Sequence, residues 1–356
     1  MKALLFLCLT DFLVLLTQAN PLDELSTDDD MPGKVHTLYQ KHYSKYKKYL
    51  KKFGKKHDLS VPEPIRLLKF AQNMKFVEEH NERYRKGLET YKLAINEMSD
   101  WTEKEKERLY GYFPNNTRKE AGNMTKILGN KLRKTIPRSL DYRKITNVLP
   151  VKRQGACRVC FIFSALGALE IYAALKSKKP PVSLSVQDVM DCSNMEKCGG
   201  KGGNEAAVFD WVAENGVATD KHYPYKESDS VSCPIRKSER AKGALAGSAF
   251  LPHGDEDVIR RVLALYGPVC LSLHASLADF QFYSGNDIYY NPSCPKDNDH
   301  VNHAVLAVGY GVENGVKYFI IRNSWGPSWG DKGYGRIRAG VKACGIGLDS
   351  AIPIFF

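Results

Sequence analysis

The stretch QGACRVCF at residues 154–161 decides how the rest of the chain is interpreted. The run from Phe161 to Ala174 is almost wholly apolar and too long for an ordinary strand, which predicts a buried helix that starts near Cys160. Cys157 and Cys160 therefore lie at a predicted helix start. Such a pair admits three interpretations: half of a zinc site, a redox pair, or a reactive thiol beside a structural cysteine.

The surrounding sequence favours the reactive thiol. A zinc site requires a second pair at ligand spacing, and Cys192 and Cys198 are too far apart for the usual short knuckle. A thioredoxin-type redox pair is expected in a β-α-β context, which is missing here. By contrast, free backbone N–H groups and the helix dipole stabilise a thiolate at the start of a helix. We therefore predict that Cys160 is a nucleophile.

A nucleophilic cysteine of this kind requires a histidine and a group that orients it. His303 opens a predicted strand over 303–308, and Asn323 directly follows a second predicted strand over 317–322. A lone cysteine or histidine is usually structural. Here Gln154-Gly155, Asn302-His303-Ala304 and NSWG at 323–326 all support one chemistry, thiol-based nucleophilic catalysis.

Composition excludes several other classes of protein. The chain has 356 residues, of which 43% are hydrophobic and 26% charged, ordinary globular proportions that argue against extensive disorder and against a polytopic membrane protein. The net charge is +12, and both residues 1–137 and residues 138–356 are net positive. No phosphate-binding loop, zinc finger or helix-turn-helix pattern accompanies this charge, so we expect solvated lysines and no nucleic-acid partner.

The N-terminus predicts export. Lys2 precedes an apolar run from Ala3 to Leu16 and the small-residue sequence TQA at 17–19, which is typical of a cleaved signal peptide over residues 1–19. No later run reaches eighteen consecutive apolar residues, so no membrane span is expected. The predicted destination is the secretory pathway and then the lysosome or the extracellular space. Asn115 and Asn123 lie in sequons, which are acceptors for N-glycosylation in the secretory pathway.

A second predicted helix, over about 65–86, carries an unusual face. Arg66, Phe70, Asn73, Val77 and Asn81 recur at helical spacing and share one side. An ordinary core face would be uniformly apolar, so this face is expected to dock by hydrogen bonds as well as by packing. Residues 114–136 have the composition of a polar linker, and from residue 137 onward Gly, aromatic residues and cysteines become frequent.

At these motifs the chain resembles the papain-like cysteine proteases, in their cathepsin L-like zymogen form. The resemblance covers nearly all of residues 35–356 and includes SLDYR at 139–143, GPV at 267–269 and Trp329-Gly330. It implies an α+β fold with two lobes, one helical and one an antiparallel, β-barrel-like sheet. It also implies an inhibitory propeptide over 20–136, with a helical core at about 35–113, before a peptidase domain over 137–356.

The resemblance also implies the role of each site residue. Cys160 would be the nucleophile of an endopeptidase and His303 its partner, as a thiolate–imidazolium pair in the resting enzyme. Asn323 would orient the imidazole, and the Gln154 side chain with the Cys160 N–H would form the oxyanion hole. The implied substrate-binding residues are Gly202, Gly203, Ala304, Trp325 and Asp349.

Disulfides and partners follow from the same resemblance. It implies the pairs Cys157–Cys198, Cys192–Cys233 and Cys294–Cys344, and a free, buried Cys270. No cofactor or metal is expected. The expected partners are protein or peptide substrates, the chain's own propeptide and inhibitors of the cystatin type, and the enzyme is expected to be a monomer.

The sequence departs from the family pattern beside the nucleophile. Arg158 and Val159 replace the usual Gly-Ser, and Phe161 replaces Trp. Arg158 could narrow the subsite for the residue before the scissile bond, favour an acidic residue there, or obstruct substrate. In the last case the protein would be a catalytically impaired homologue that acts as a binding or inhibitory protein.

Two carboxylates carry further expectations. Asp349 is either the base of the main specificity pocket, where it would accept Arg or Lys at the second substrate residue, or a solvent-facing side chain near the C-terminus. Asp100 lies in the second propeptide motif, AINEMSD at 94–100. Its protonation is a candidate trigger for loss of the propeptide at low pH.

Overall fold

The computed structural model describes residues 31–55, 60–114, 129, 134–193, 195, 198–230 and 232–356, with side chains from residue 40 onward. The predicted signal peptide, both sequons and most of the predicted linker lie outside these residues. The described chain divides into two compact units. One comprises the chain up to Phe76 with Ser99–Trp101, and the other comprises Val77–Met98 and Thr102–Phe356.

The helices agree closely with the two predicted from apolar and polar spacing. The apolar run gives a helix over Cys160–Ser177, and the mixed-face segment gives one over Glu63–Arg85. In chain order the α-helices are α1 Met31–Phe53, α2 Glu63–Arg85, α3 Glu103–Lys106, α4 Cys160–Ser177, α5 Val186–Cys192, α6 Glu205–Asn215, α7 Glu256–Leu265 and α8 Ala278–Gln281.

The first unit is held by an aromatic cluster around a buried carboxylate. The rings of Tyr46 and Tyr49 both pack against Phe70 of α2, with centroids 5.5 and 4.8 Å away. Asp100 is fully buried and accepts a hydrogen bond from the Tyr49 hydroxyl at 2.8 Å. Lys55 forms an ion pair with the same carboxylate at 2.9 Å. The second propeptide motif therefore ends in a buried ion pair.

The mixed polar and apolar face of α2 forms hydrogen bonds as well as packing contacts, as its composition predicts. Within the first unit, the Asn73 side chain donates to the backbone oxygen of Ser99 at 2.9 Å. Within the second unit, Asn81 exchanges two 2.9 Å hydrogen bonds with the backbone of Leu93. The face thus binds backbone through its amides while Phe70 is buried.

Among the described residues, eight strands form one sheet. They are β1 Leu140–Asp141, β2 Leu245–Phe250, β3 Val269–Leu273, β4 Ile288–Tyr289, β5 His303–Glu313, β6 Val316–Arg322, β7 Tyr334–Arg338 and β8 Ser350–Phe355. The order in the sheet is β2-β8-β3-β5-β6-β7-β4, with β1 paired to β5, and all pairs are antiparallel except β4 with β7.

Helix α4 packs against this sheet. By length and composition it could cross a membrane, but 72% of it is buried inside the protein, as expected of a core helix. It lies against β5, where the Ser164 hydroxyl donates to the backbone oxygen of Val305 at 3.0 Å. This packing brings the start of α4, at Cys160, to the start of β5, at His303.

Three disulfides cross-link the described residues of the second unit. They join Cys157 to Cys198, Cys192 to Cys233, and Cys294 to Cys344, which are the pairs that the resemblance implies. Cys160 and Cys270 are free and buried. Cys270 lies in β3, where every residue is buried.

Candidate active site

The ends of neighbouring strands place a histidine beside an amide. His303 begins β5, and Asn323 directly follows β6, which pairs with β5 in antiparallel register. Nε2 of His303 lies 2.8 Å from Oδ1 of Asn323. Trp325 is buried, and its ring lies 4.6 Å from the imidazole. The Trp325 ring therefore shields the His303–Asn323 hydrogen bond from water. Such shielding is expected where Asn323 holds the imidazole in one orientation.

Cys160 is the first residue of α4, and its side chain is fully buried. Burial raises the pKa of its thiol to about 12, while backbone hydrogen bonds from Ala304, Gly111 and Phe161 act in the opposite direction. Because burial disfavours the charged form, the thiol is the stable state in the zymogen.

His303 is also fully buried, and burial lowers its pKa to about 4 despite hydrogen bonds to Asn323 and to the backbone of Leu109. Its Nδ1 faces the backbone oxygen of Leu109 at 3.2 Å. Since both partners are oxygen acceptors, a neutral ring with one proton can donate to only one of them. The shorter contact assigns that proton to Nε2, facing Asn323. The zymogen thus favours neutral Cys160 and His303, whereas the expected ion pair concerns the resting enzyme.

Gln154 completes this group. Its Oε1 accepts from the Ser324 hydroxyl at 2.6 Å, and its Nε2 donates to the backbone oxygens of Cys157 at 2.8 Å and Leu109 at 3.1 Å. The two carbonyl oxygens can only accept, so they fix Nε2 as the donating end of the amide. The Leu109 carbonyl therefore faces two predicted catalytic side chains, Gln154 and His303.

Residues 111–113 lie beside the start of α4 as an extended segment. The Gly203 N–H donates to the Gly111 carbonyl at 2.9 Å, and the Phe113 N–H donates to the Gly203 carbonyl at 3.0 Å. The Tyr112 N–H donates to the Asn302 carbonyl at 3.0 Å. Peptides bound by pairing with an exposed backbone edge make this pattern of bonds.

Glycine is required both within this segment and in the cleft backbone that it contacts. A Cβ on Gly111 would lie 2.1 Å from the Arg158 carbonyl oxygen, and a Cβ on Gly202 would lie 2.1 Å from the Gly111 carbonyl oxygen. Gly202 also has a φ of +111°, which favours glycine. A Cβ on Gly203 would meet the Phe161 ring at 2.8 Å. The extended segment therefore contacts Gly202 and Gly203, two of the implied substrate-binding residues.

The departures beside the nucleophile leave room for a peptide. Val159 is fully buried at the N-cap of α4, and Phe161 is fully buried against Gly203. The backbone of Arg158 lies against Gly111, and its side chain is half-exposed. Because residues 111–113 already occupy this place, Arg158 and Val159 do not fill it.

Asp349 is 3% exposed, so its interpretation as a solvent-facing residue is wrong. Its carboxylate accepts a hydrogen bond from the Tyr112 hydroxyl at 3.1 Å. Sequence reasoning missed Leu109, Tyr112 and Glu205, the last a buried carboxyl group at the start of α6. Nothing in the sequence around these three residues distinguishes them.

Comparison with known proteins bears directly on this geometry. The model of the papain family cysteine proteases matches residues 136–354, more than half of the chain. The chain belongs to the papain family. A second model, the cathepsin propeptide inhibitor domain, matches residues 46–105. The protein is therefore a cysteine endopeptidase zymogen of the cathepsin L-like kind, with the α+β fold that the sequence predicts.

Relatives within the papain family agree over most of their length. The chain is 38% identical to cathepsin K of Mus musculus over 302 residues, which is 84% of this chain and 89% of that protein. It is 38% identical to pro-cathepsin H of Bos taurus, covering 81% and 83%. The structure of digestive procathepsin L2 from Tenebrio molitor larval midgut superposes with a TM-score of 0.79 at 32% identity, covering 88% and 99%.

Proposed function

We propose that the mature enzyme hydrolyses internal peptide bonds through an acyl-enzyme on Cys160. The observation that carries this proposal is the Leu109 carbonyl, which lies 3.1 Å from Gln154 Nε2 and 3.2 Å from His303 Nδ1. A scissile carbonyl in the same place would have an oxyanion donor on one side and a proton-transfer group on the other.

The chemistry follows from these contacts. With the propeptide removed, water reaches Cys160 and His303, so the cost of charging them falls and a thiolate–imidazolium pair becomes accessible. The thiolate attacks the carbonyl, and the Gln154 amide and the Cys160 N–H stabilise the oxyanion. His303 protonates the leaving amine, and water then hydrolyses the thioester, with His303 accepting the water proton.

In the zymogen, residues 109–113 lie where a substrate would bind. The Leu109 carbonyl accepts from Gln154, and the Gly111 carbonyl accepts from the Gly203 N–H. Residues 109–113 therefore occupy the site that a substrate would use.

The setting of the enzyme is part of the proposal. Residues 1–19 have the pattern of a secretory signal, and three disulfides require an oxidising compartment. We accordingly propose passage through the secretory pathway to a lysosome or the cell exterior. Protein substrates, inhibition by cystatin-type proteins and a monomeric state complete the proposal.

Cleavage of an internally quenched peptide by the acid-activated protein tests this function. Product masses that locate an internal cut, and loss of turnover in Cys160→Ala, are expected. Activation without turnover of any peptide in a diverse library would contradict the proposal and return the protein to the role of a binding protein.

A further inference from the structure

The candidate active site contains one buried donor without an acceptor. Asn323 is 4% exposed, and its Oδ1 lies 2.8 Å from Nε2 of His303 and accepts from the Ser324 N–H at 2.7 Å. Because a backbone N–H can only donate, Ser324 fixes this end of the amide as the oxygen. The other end, Nδ2, is buried and has no hydrogen-bond partner among the described residues. A buried donor of this kind costs stability unless an acceptor is supplied.

A small cavity borders the same side chain. It has a volume of about 20 Å³ and is lined by Asn323 and, on α4, by Ser164, Gly167 and Glu170. One water molecule requires about 10–15 Å³ of such space and two to four polar partners. The cavity therefore has room for one water molecule next to the side chain whose amide nitrogen lacks an acceptor.

Charged side chains supply further polar lining. Glu170 and Arg322 are both buried and both line the cavity. Oε2 of Glu170 lies 3.4 Å from Nη1 of Arg322, and its Oε1 accepts from the Leu184 N–H at 3.0 Å. Lys152, also in the lining, lies 3.9 Å from the same Oε1. A carboxylate has about four lone-pair sites, so Glu170 can accept a further hydrogen bond from a molecule in the cavity.

Arg322 connects this ion pair to Asn323, which directly follows it in the chain. Nη2 of Arg322 donates to the carbonyl oxygens of Leu149 at 3.3 Å and Pro150 at 3.1 Å, while its Nη1 faces Glu170. The guanidinium is therefore held by two groups of acceptors. Since Arg322 ends β6, these contacts fix the backbone from which Asn323 reaches His303.

Gly167 leaves the cavity free of a side chain. It lies within α4, where alanine has the higher helix propensity. A Cβ on Gly167 would lie 3.1 Å from Nη1 of Arg322 and 3.3 Å from Cδ2 of Leu306, and both of these residues line the cavity. A methyl group at position 167 would therefore enter the cavity and displace a bound molecule.

We propose that the cavity binds one water molecule, which accepts a hydrogen bond from Asn323 Nδ2 and donates one to the Glu170 carboxylate. Glu170 and Arg322 are then positioning residues, which act through Asn323 on the orientation of the His303 imidazole. The inference rests on the proposed peptidase function and adds a bound water and two residues to it. A water molecule can join an amide donor to a carboxylate because it both accepts and donates, and such a bridge is nearly as favourable as a direct hydrogen bond.

Crystallography tests the water site without any need for activity. In a high-resolution structure of the Cys160→Ala zymogen, we expect an ordered water molecule within about 3.2 Å of both Asn323 Nδ2 and a Glu170 carboxylate oxygen. In the same protein carrying Gly167→Ala, that water should be missing. A dry cavity in the Cys160→Ala zymogen, or an Asn323 Nδ2 that donates to a protein atom, would overturn the proposal.

Kinetics of the activated enzyme test the positioning role, with active sites counted by titration with an epoxide inhibitor. The hydrogen bond to Asn323 favours the imidazolium over the neutral ring, so a poorly held amide should shift the alkaline limb of the kcat/KM profile to lower pH. We expect Gly167→Ala to show this shift and to lower kcat/KM at the optimum about two- to tenfold, which corresponds to one ordinary hydrogen bond. Glu170→Gln should act in the same direction.

The control is Gly243→Ala, whose Cβ would meet nothing within 4 Å and whose pH profile should match that of the wild type. An unchanged profile in both Gly167→Ala and Glu170→Gln, or a loss of activity with an unmoved alkaline limb, would overturn the assignment of Glu170 and Arg322 as positioning residues. Absence of titratable active sites in the wild type would instead be a failure of the proposed function, and the crystal structures would still decide the water site.

Discussion

The carbonyl oxygen of Leu109 lies 3.1 Å from Nε2 of Gln154, the side chain predicted to stabilise a developing oxyanion. Gln154 is held in that orientation by Ser324, whose hydroxyl donates to its Oε1 at 2.6 Å. This carbonyl therefore occupies the predicted oxyanion donor in the zymogen. In the proposed mechanism, inhibition and catalysis depend on the same hydrogen-bond donor, so a change at Gln154 should affect both.

Gln154→Ala should lower kcat of the mature enzyme about 10²–10³-fold, since one oxyanion donor contributes about 2.7–4 kcal/mol. The nucleophile remains, so covalent labelling of Cys160 by a reagent that forms no oxyanion should persist. Steady-state kinetics and intact-mass labelling measure the two effects. A variant that retains more than half of the wild-type kcat would remove Gln154 from the mechanism.

Cys160 in the zymogen should resist alkylation from pH 5 to pH 9. Only the thiolate reacts, and burial raises the thiol pKa to about 12, so the neutral form persists throughout this range. After activation the same cysteine should react rapidly. Peptide mapping after iodoacetamide treatment reports this, with buried Cys270 as an internal reference. Equal rates before and after activation would contradict the buried neutral thiol.

Gly111→Ala should weaken inhibition. The added Cβ would lie 2.1 Å from the Arg158 carbonyl oxygen, so either the propeptide segment or the cleft backbone must move. We expect a lower Tm for the zymogen and faster processing at a given pH. Gly243→Ala is the control, because its Cβ would meet nothing within 4 Å. Identical Tm values for the two variants would show that residue 111 does not pack against Arg158.

Asp100→Asn should shift processing to higher pH. The substitution removes the charge that pairs with Lys55 at 2.9 Å and mimics the protonated carboxyl group. Breaking a buried ion pair from one side typically costs about 3–5 kcal/mol, so the propeptide unit should lose stability. The pH at half-maximal processing measures the effect. A processing profile that does not move would exclude Asp100 as the acid trigger.

Long-range contacts limited what the sequence could predict. Cys160, His303 and Asn323 were predicted together because three rare neighbourhoods point to one chemistry, and α4 was predicted from its apolar run. Tyr112 and Asp349 are separated by 237 residues, and their contact depends on where the extended segment over residues 111–113 lies relative to Asp349. No local pattern encodes such a contact, which is why Asp349 could not be assigned as buried from the sequence alone.

Glu205 illustrates the same limit. A charged residue at a helix start is normally solvated and stabilises the helix dipole, so its local sequence indicates an ordinary first turn. Its burial results from packing of α6 against α4 and β8. That burial is therefore a property of the assembled fold.

The most direct test is to treat the acid-activated protein with an epoxide inhibitor of cysteine proteases and measure its intact mass. We expect one adduct per molecule, located on Cys160 by peptide mapping, with none in Cys160→Ala and none in the unprocessed zymogen. A folded, propeptide-free enzyme that takes up no adduct, or takes it up at Cys270, would contradict the assignment of Cys160 as the nucleophile.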